Sequence, residues 1–119
     1  MFKLNPRVVC EDGFSMSVQA TRGSYCEPRI DGADSYTSVE VGFPTEQCVV
    51  LREYAENPRA GTTVTDHLTG EVIETGQVQT VYGWIPVGLV RQVIANHGGM
   101  VSGRCPPGVN PVWAEEGGE

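Results

Sequence analysis

The spacing of apolar residues changes within residues 80–99, and this change predicts a strand that runs directly into a helix. Residues 81–85 are mostly β-branched or aromatic, which suits a half-buried strand. Pro86 cannot extend a central strand, but its fixed φ suits the first turn of a helix. Over residues 87–97 the apolar positions recur at spacings of three and four, which predicts one buried helical face. Gly98 and Gly99 then supply a helix stop.

Two glycines interrupt this pattern. Gly83 lies inside the predicted strand, where a glycine indicates a bulge or a close approach of another backbone. Gly88 lies inside the predicted helix and costs about 1 kcal/mol relative to alanine. It marks either the true start of the helix or a second close approach.

Earlier in the chain, residues 7–20 have the pattern of a β-hairpin. Asp12-Gly13 is a strong signal for a two-residue turn. That turn pairs Val9 with Met16 and predicts that one face points to the core. The residues on this face are Val9, Phe14, Met16 and Val18.

Two further segments have strand character. Residues 36–43 alternate, with Thr37, Val39, Val41 and Phe43 on one face. The apolar group at residues 47–54 fits either a strand or one or two helical turns, and we favour a strand for residues 49–54.

Residues 62–73 predict a second hairpin with its tip at residues 68–70. An exposed hairpin of this kind serves as a contact element in some proteins and is an inert insertion in others.

Residues 104–119 are rich in proline at first and acidic at the end, so they predict an extended arm and tail after a single domain of residues 1–103. Trp113 on that arm is expected to dock on the sheet or on a neighbouring subunit.

Together these elements predict an α+β fold: an antiparallel sheet of about four to six strands with one helix from the C-terminal half packed on one face. A length of 119 residues fits one domain. No apolar run is long enough to cross a bilayer, and the first residues lack the apolar core of a signal peptide, so we expect a cytoplasmic protein without a membrane partner.

The net charge of −7 argues against direct binding to nucleic acid, whose phosphates need a basic surface. It permits the opposite role, in which an acidic protein competes with nucleic acid for a basic partner. It also fits the simpler interpretation that the charge keeps a small protein soluble.

The residues offer little catalytic chemistry. The four cysteines are isolated, and neither histidine lies at zinc-site spacing from one, so we expect free thiols and no bound metal. The sequence lacks the phosphate-binding glycine loops and the G-x-S-x-G and H-E-x-x-H motifs. A Cys–His pair remains formally possible, using Cys26 or Cys48 with His67 or His97. We expect no catalytic residues, no cofactor and no enzymatic activity.

Aromatic and basic residues provide the candidate binding site. Tyr25 and Arg29 lie on a loop over residues 21–35 that Pro28 stiffens. With Tyr82 and Trp84 they suit either a nucleotide-like ligand or a protein interface. The alternative is that Tyr25 and Cys26 pack under the sheet while Arg29 pairs with a nearby carboxylate. The predicted binding residues are Tyr25, Arg29, Tyr82, Trp84 and Trp113.

Several blocks of the chain resemble small uncharacterised proteins encoded by bacteriophages and prophages. These blocks are DGFSMSVQA at residues 12–20, YCEPR at 25–29, residues 37–44, and VYGWIP at 81–86 through HGG at 97–99. The resemblance covers residues 8–100 in scattered parts and omits the hairpin at 59–79 and the tail. It implies a phage origin and no particular catalytic residue, and small acidic phage proteins often bind a host factor.

The resulting hypothesis is a phage-encoded, non-enzymatic binding protein in the host cytoplasm. It inhibits or modulates a host factor, with the host defence machinery as one candidate, by covering a basic surface with acidic and aromatic groups. The alternatives are an accessory head or tail protein of the virion and a protein that sequesters a nucleotide signal. Trp113 on its arm further predicts a homo-oligomer.

Overall fold

The computed structural model describes residues 4–114, which form seven strands, one α-helix and one 3₁₀ helix. The strands are β1 (Val8–Cys10), β2 (Ser15–Gln19), β3 (Ser38–Gly42), β4 (Thr63–Thr65), β5 (Val72–Glu74), β6 (Val81–Pro86) and β7 (Met100–Ser102). The 3₁₀ helix spans Val49–Tyr54, and the helix α1 spans Val87–Asn96.

Five strands form one antiparallel sheet in the order β6-β3-β2-β1-β7, and β4 and β5 form a separate two-stranded sheet. Strand β2 joins the two halves of the larger sheet, because its first residues pair with β1 and its last residues pair with β3. Helix α1 buries Val90, Val93 and Ile94 in the same cluster as the inward residues of the sheet. The α+β fold predicted from the sequence is therefore confirmed.

The predicted passage from strand to helix is also confirmed. Pro86 is the last residue of β6, and α1 begins at Val87. The helix ends as expected, because Gly98 adopts a φ of +92° and Gly99 donates its N–H to the Ile94 carbonyl at 3.0 Å. Gly88 is the second residue of α1, so it lies within one residue of the helix start, as one of its two interpretations proposed. The open space around it excludes the other interpretation, a close approach of another backbone.

The register of the first hairpin differs from the prediction by one residue. Val8, not Val9, pairs with Met16. The loop has three residues instead of two, with Gly13 at a φ of +95° and its N–H donated to the Cys10 carbonyl. The shift reverses the faces of β1, so Val8 and Cys10 are buried while Val9 is only half-buried. The other predicted core residues are buried: Met16 and Val18 on β2, and Phe14 just before it.

Strand β3 buries Val39 and Val41 as predicted, but Thr37 and Phe43 are exposed. Both lie outside the strand, and Phe43 has a φ of +51°, which turns the chain away from the sheet.

The prediction of a strand at Val49–Tyr54 is wrong, because this segment is a 3₁₀ helix that fully buries only Leu51. Val49 and Val50 are 75% and 43% exposed, so the apolar run has no second buried position to fix an extended register.

The hairpin predicted at residues 62–73 is present as β4 and β5, and every residue of both strands is exposed.

The C-terminal arm folds back over the domain. Val109 is buried in the core, and residues 112–114 run parallel to β7, with the Ala114 N–H donated to the Met100 carbonyl at 3.0 Å. The acidic residues 115–119 lie outside the described part of the chain.

Candidate functional site

An irregularity in β6 places a tryptophan on the surface. Val39 pairs with Ile85, but Val41 pairs with Tyr82, so two residues of β6, Gly83 and Trp84, lie opposite the single residue Glu40. This is a β-bulge, a feature that re-aims side chains and is frequent beside functional sites. Trp84 has a φ of +52° and is 51% exposed. A bulky residue in the left-handed region is uncommon and strained, so the surrounding structure must hold it there.

Tyr25 from the long loop provides part of that support. Its backbone N–H donates to Oε1 of Glu40 at 2.8 Å, and its carbonyl accepts the Trp84 N–H at 2.9 Å. A Cβ atom on Gly83 would lie 3.0 Å from the Cβ atom of Tyr25. The bulge that Gly83 predicted is therefore present. The glycine also leaves room for a close neighbour, which is the side chain of Tyr25 and not a backbone.

The side chains at this point form a stack. The rings of Tyr25 and Trp84 have centroids 4.8 Å apart and planes inclined by 20°. The guanidinium carbon of Arg29 lies 5.5 Å from the centroid of the Tyr25 ring, within cation–π distance. Tyr25 is thus engaged by two neighbours of its own chain, and the ring that remains half-exposed is that of Trp84.

A groove lies beside the stack. Its cavity has a volume of about 330 Å³ and is lined by Tyr25, Tyr54, Ala55, Glu56, Gly83 and Trp84. We call these residues the aromatic groove. A second cavity of about 440 Å³ shares Ala55 and continues along Val49, Arg52, Glu53 and Pro58. The two cavities meet at Ala55, which forms an isolated bridge with Tyr82 of β6.

The structure brings together three of the five predicted binding residues, Tyr25, Arg29 and Trp84. Tyr82 is only 2% exposed and belongs to the core, where burial raises the pKa of its hydroxyl. It lies under the groove and presents no surface to a ligand. Trp113 is 56% exposed, but it lies beside β7, at the opposite edge of the five-stranded sheet.

The alternative interpretation of the loop holds in part. Cys26 is buried, and its thiol donates to the Thr21 carbonyl at 3.3 Å. Tyr25 is only half-buried, and Asp31 forms its ion pair with Arg22 at 3.6 Å instead of with Arg29. The sequence did not point to Tyr54, Glu56 or the supporting role of Glu40. Tyr54 lies in the segment predicted as a strand, and Glu40 lies on the face of β3 opposite its predicted apolar face, so no local signal identifies either residue.

A third cavity, of about 340 Å³, lies between the long loop and the C-terminal arm and includes Asp31, Tyr36 and Arg104 in its lining. Its polar groups serve the fold. The Tyr36 hydroxyl donates to the Ile30 carbonyl at 2.7 Å, and Asp31 accepts the Arg22 N–H at 2.9 Å. We therefore regard this cavity as a packing feature of the loop.

The four cysteines are free thiols that pack in or against the core. Burial raises the pKa of Cys10 to about 11 and that of Cys105 to about 12, and it also raises the pKa values of Cys26 and Cys48. The nearby carboxylate of Asp12 contributes to the raised pKa of Cys10. All four thiols therefore remain protonated at neutral pH, and a thiolate nucleophile is disfavoured.

His97 is paired with a carboxylate at the turn of the first hairpin. Its Nδ1 lies 2.7 Å from Oδ2 of Asp12, and its ring stacks on Phe14 with centroids 3.9 Å apart. The Phe14 N–H and the His97 side chain both hold the pKa of Asp12 below its usual value. This contact ties the hairpin turn to the end of α1.

Over residues 4–114, no group of three or more His, Cys, Asp or Glu side chains is arranged to hold a metal ion. The helices in this part of the chain are too short or too polar to span a membrane.

Comparison with known proteins found no matching family model, no similar curated protein and no similar solved structure.

Proposed function

We propose that this chain is a non-enzymatic binding protein that recognises a partner protein through the aromatic groove. The observation that carries the proposal is the half-exposed Trp84, held on a bulge in the left-handed region and stacked on Tyr25. Such backbone strain costs of order 1–3 kcal/mol and persists where the surroundings over-determine it. A merely structural bulge has no need for an exposed indole.

The partner surface that fits this groove is basic and partly apolar. Trp84 offers an indole face, which attracts Arg and Lys side chains, and Glu56 adds a carboxylate at the same groove. The net charge of −7 favours approach to a positively charged partner. Tryptophan is also among the residues that most often dominate binding energy at protein interfaces.

The resemblance to phage-encoded proteins extends the proposal to a host factor in the host cytoplasm. In this view the groove covers a basic, nucleic-acid-facing surface and so inhibits or modulates the factor. A nucleotide signal fits the groove less well, because the carboxylate of Glu56 lines it and the net charge of −7 opposes a ligand that carries phosphates. An accessory role in the virion remains the alternative without a specific contact to favour it.

The test is affinity purification from phage-infected cells with mass-spectrometric identification of what co-purifies. We expect one host protein in stoichiometric amount with the unaltered chain and its loss with Trp84→Ala. The matched control is Trp113→Ala, which removes a tryptophan of similar exposure from the opposite sheet edge. Equal retention by both variants, or recovery of the chain only in purified virions, would contradict the proposal.

A homo-oligomer is a separate proposal that rests on the exposed Trp113. Deletion of residues 110–119 should then lower the mass measured by light scattering. Trp113→Ala in the full chain is the companion variant, because it keeps the contact of the arm with Met100. An unchanged mass in both variants would remove this proposal and leave the groove proposal untouched.

A further inference from the structure

The two-stranded sheet of β4 and β5 stands apart from the main sheet with apolar side chains in solvent. We call residues 62–75 the ribbon. Val64 pairs with Ile73 on one face, and these side chains are 39% and 44% exposed. Val72 is 63% exposed and Leu68, at the tip, 96%. An isolated two-stranded ribbon is marginal in water, and a third strand would stabilise it.

Within residues 4–114, β5 pairs only with β4, and no strand pairs with its outer edge. Asp66 donates its N–H to the Glu71 carbonyl, and Thr75 donates to the Thr62 carbonyl, both at 2.8 Å. Hydrogen-bonded pairs alternate along an antiparallel ladder, so the pair Val64–Ile73 is also hydrogen-bonded internally. The same alternation turns the N–H and C=O groups of Val72 and Glu74 outward. The β5 edge therefore presents the groups to which another strand pairs.

The side chains along this edge define what that strand must carry. In order, β5 and the residue before it read Glu71, Val72, Ile73 and Glu74, all of them exposed. Directly opposed residues on neighbouring strands interact, with opposite charges and apolar pairs favourable and like charges unfavourable. The complementary strand has a basic residue at each end and two apolar residues between.

The charge of the ribbon favours a basic segment of a partner protein over a second copy of the chain or a nucleic acid. Residues 62–75 contain Asp66, Glu71 and Glu74 and no Lys or Arg. A second copy of the chain would bring the same three carboxylates to the joint edge, in a protein whose net charge is already −7. Nucleic acid would meet the carboxylates with phosphates. An extended basic segment of a partner protein is attracted to the carboxylates instead of repelled by them.

We propose that the β5 edge of the ribbon binds an extended segment of a partner protein with the pattern basic–apolar–apolar–basic, as an added antiparallel strand. This surface is distinct from the aromatic groove, and it recognises its partner mainly through backbone hydrogen bonds. The proposal stands whether or not the groove binds the same partner.

The test uses the full-length protein and a fluorescein-labelled synthetic peptide with the central sequence Lys-Val-Ile-Lys, followed by fluorescence anisotropy. Reversal of both charges in Glu71→Lys/Glu74→Lys should weaken binding about tenfold, since two favourable cross-strand pairs become repulsive. Glu74 also accepts hydrogen bonds from the Thr62 hydroxyl and the Gly76 N–H, so Glu74→Gln, which retains an acceptor, shows what these two bonds contribute. The control Asp34→Lys/Glu46→Lys makes the same change in net charge at two exposed residues elsewhere in the chain. It should weaken binding less than about threefold, as expected of a screened, long-range effect.

A second pair of variants tests the backbone. Val72→Pro removes an outward N–H from the β5 edge and leaves the internal pair Val64–Ile73 intact. Thr63→Pro removes the equivalent outward N–H from the β4 edge and is the control. We expect Val72→Pro to abolish peptide binding and Thr63→Pro to preserve it.

Three results would overturn the proposal. The first is undiminished binding of a peptide whose central amides are N-methylated, because such a peptide cannot pair as a strand. The second is equal loss with the two charge-reversal variants. The third is a dimer of the unaltered protein that Val72→Pro dissociates, since the occupant of the edge would then be a second copy. Trp84→Ala should leave peptide binding unchanged, so failure here and failure of the groove proposal can be told apart.

Discussion

Trp84 and Trp113 expose similar fractions of their side chains, 51% and 56%, but the chain holds them in different ways. Trp84 lies on a bulge in a strained conformation, stacks on Tyr25 and borders a groove. Trp113 lies on an arm that pairs with Met100 beside the edge strand β7. Exposure alone therefore does not identify a binding residue. The stronger indication is the amount of structure that fixes the side chain in its exposed position.

The largest expected loss of stability comes from a substitution at Gly99, the glycine beside the arm that carries Trp113. A Cβ atom on Gly99 would lie 2.6 Å from the backbone nitrogen of Ala114, and Gly99 has a φ of +94°. Gly99→Ala should therefore displace the arm that carries Trp113 and lower the free energy of unfolding by about 3 kcal/mol. Urea denaturation measures the loss. Partner binding at the distant groove should survive at temperatures where the variant stays folded; its loss there would show that the two regions are coupled.

Gly83→Ala should have a smaller effect on stability and a larger one on the groove. The new Cβ would meet the Cβ of Tyr25 at 3.0 Å, so the loop must give way, at a cost of about 2 kcal/mol. Near-ultraviolet circular dichroism should show loss of the Tyr25–Trp84 stack.

Gly88→Ala is the matched control for this variant. It adds the same methyl group at the second residue of α1, where space is open, and it should stabilise the protein by about 0.5 kcal/mol, less than in a helix interior. An unchanged dichroism signal in Gly83→Ala would mean that the close approach does not maintain the stack.

The hydrogen bond from the Tyr25 N–H to Glu40 is expected to help hold Trp84 in its exposed position. Glu40→Ala removes the acceptor of the Tyr25 N–H and should cost about 1 kcal/mol, with weaker partner binding. Glu40→Gln keeps an acceptor at the same place and should recover most of both. If Gln behaved like Ala, the negative charge of Glu40, and not its hydrogen bond, would support the site.

The smallest effect concerns pH and the Trp113 side of the molecule. Contacts with Phe14 and His97 lower the pKa of Asp12 in the folded state. Their stabilisation is therefore complete above the unfolded pKa of about 3.9 and is lost as the pH falls through the lower, folded value. Asp12→Asn should reduce the dependence of the thermal midpoint on pH in this acidic range. A parallel pH dependence in variant and parent would rule out a contribution from Asp12.

The parts of the fold that were predicted correctly are those with local signals. Pro86, the apolar spacing after it and Gly98 together define β6 and α1 within one short stretch. The hairpin register failed because Asp12-Gly13 fits both a two-residue and a three-residue loop, and burial of Val8 and Cys10 decides between them. The 3₁₀ helix was mistaken for a strand because tertiary packing accepts only Leu51.

The candidate site was predictable only in its composition. Tyr25, Arg29 and Trp84 were chosen as residue types that bind ligands or proteins, and the structure brings them together. Tyr82 is also a tyrosine, but its side chain lies on the inward side of β6. The bulge at Gly83 and Trp84, directly after Tyr82, helps to determine this orientation. Glu40 acts across the sheet, and Tyr54 reaches the groove from the 3₁₀ helix. Such long-range placement leaves no trace in local sequence.

The most direct test compares the two tryptophans within one sample, by hydroxyl-radical footprinting of the protein alone and in complex with the partner identified by co-purification. The account predicts that binding protects Trp84 and Tyr54 from oxidation and leaves Trp113 as reactive as in the free protein. Protection of Trp113 with undiminished oxidation of Trp84 would contradict the claim that the aromatic groove is the recognition surface.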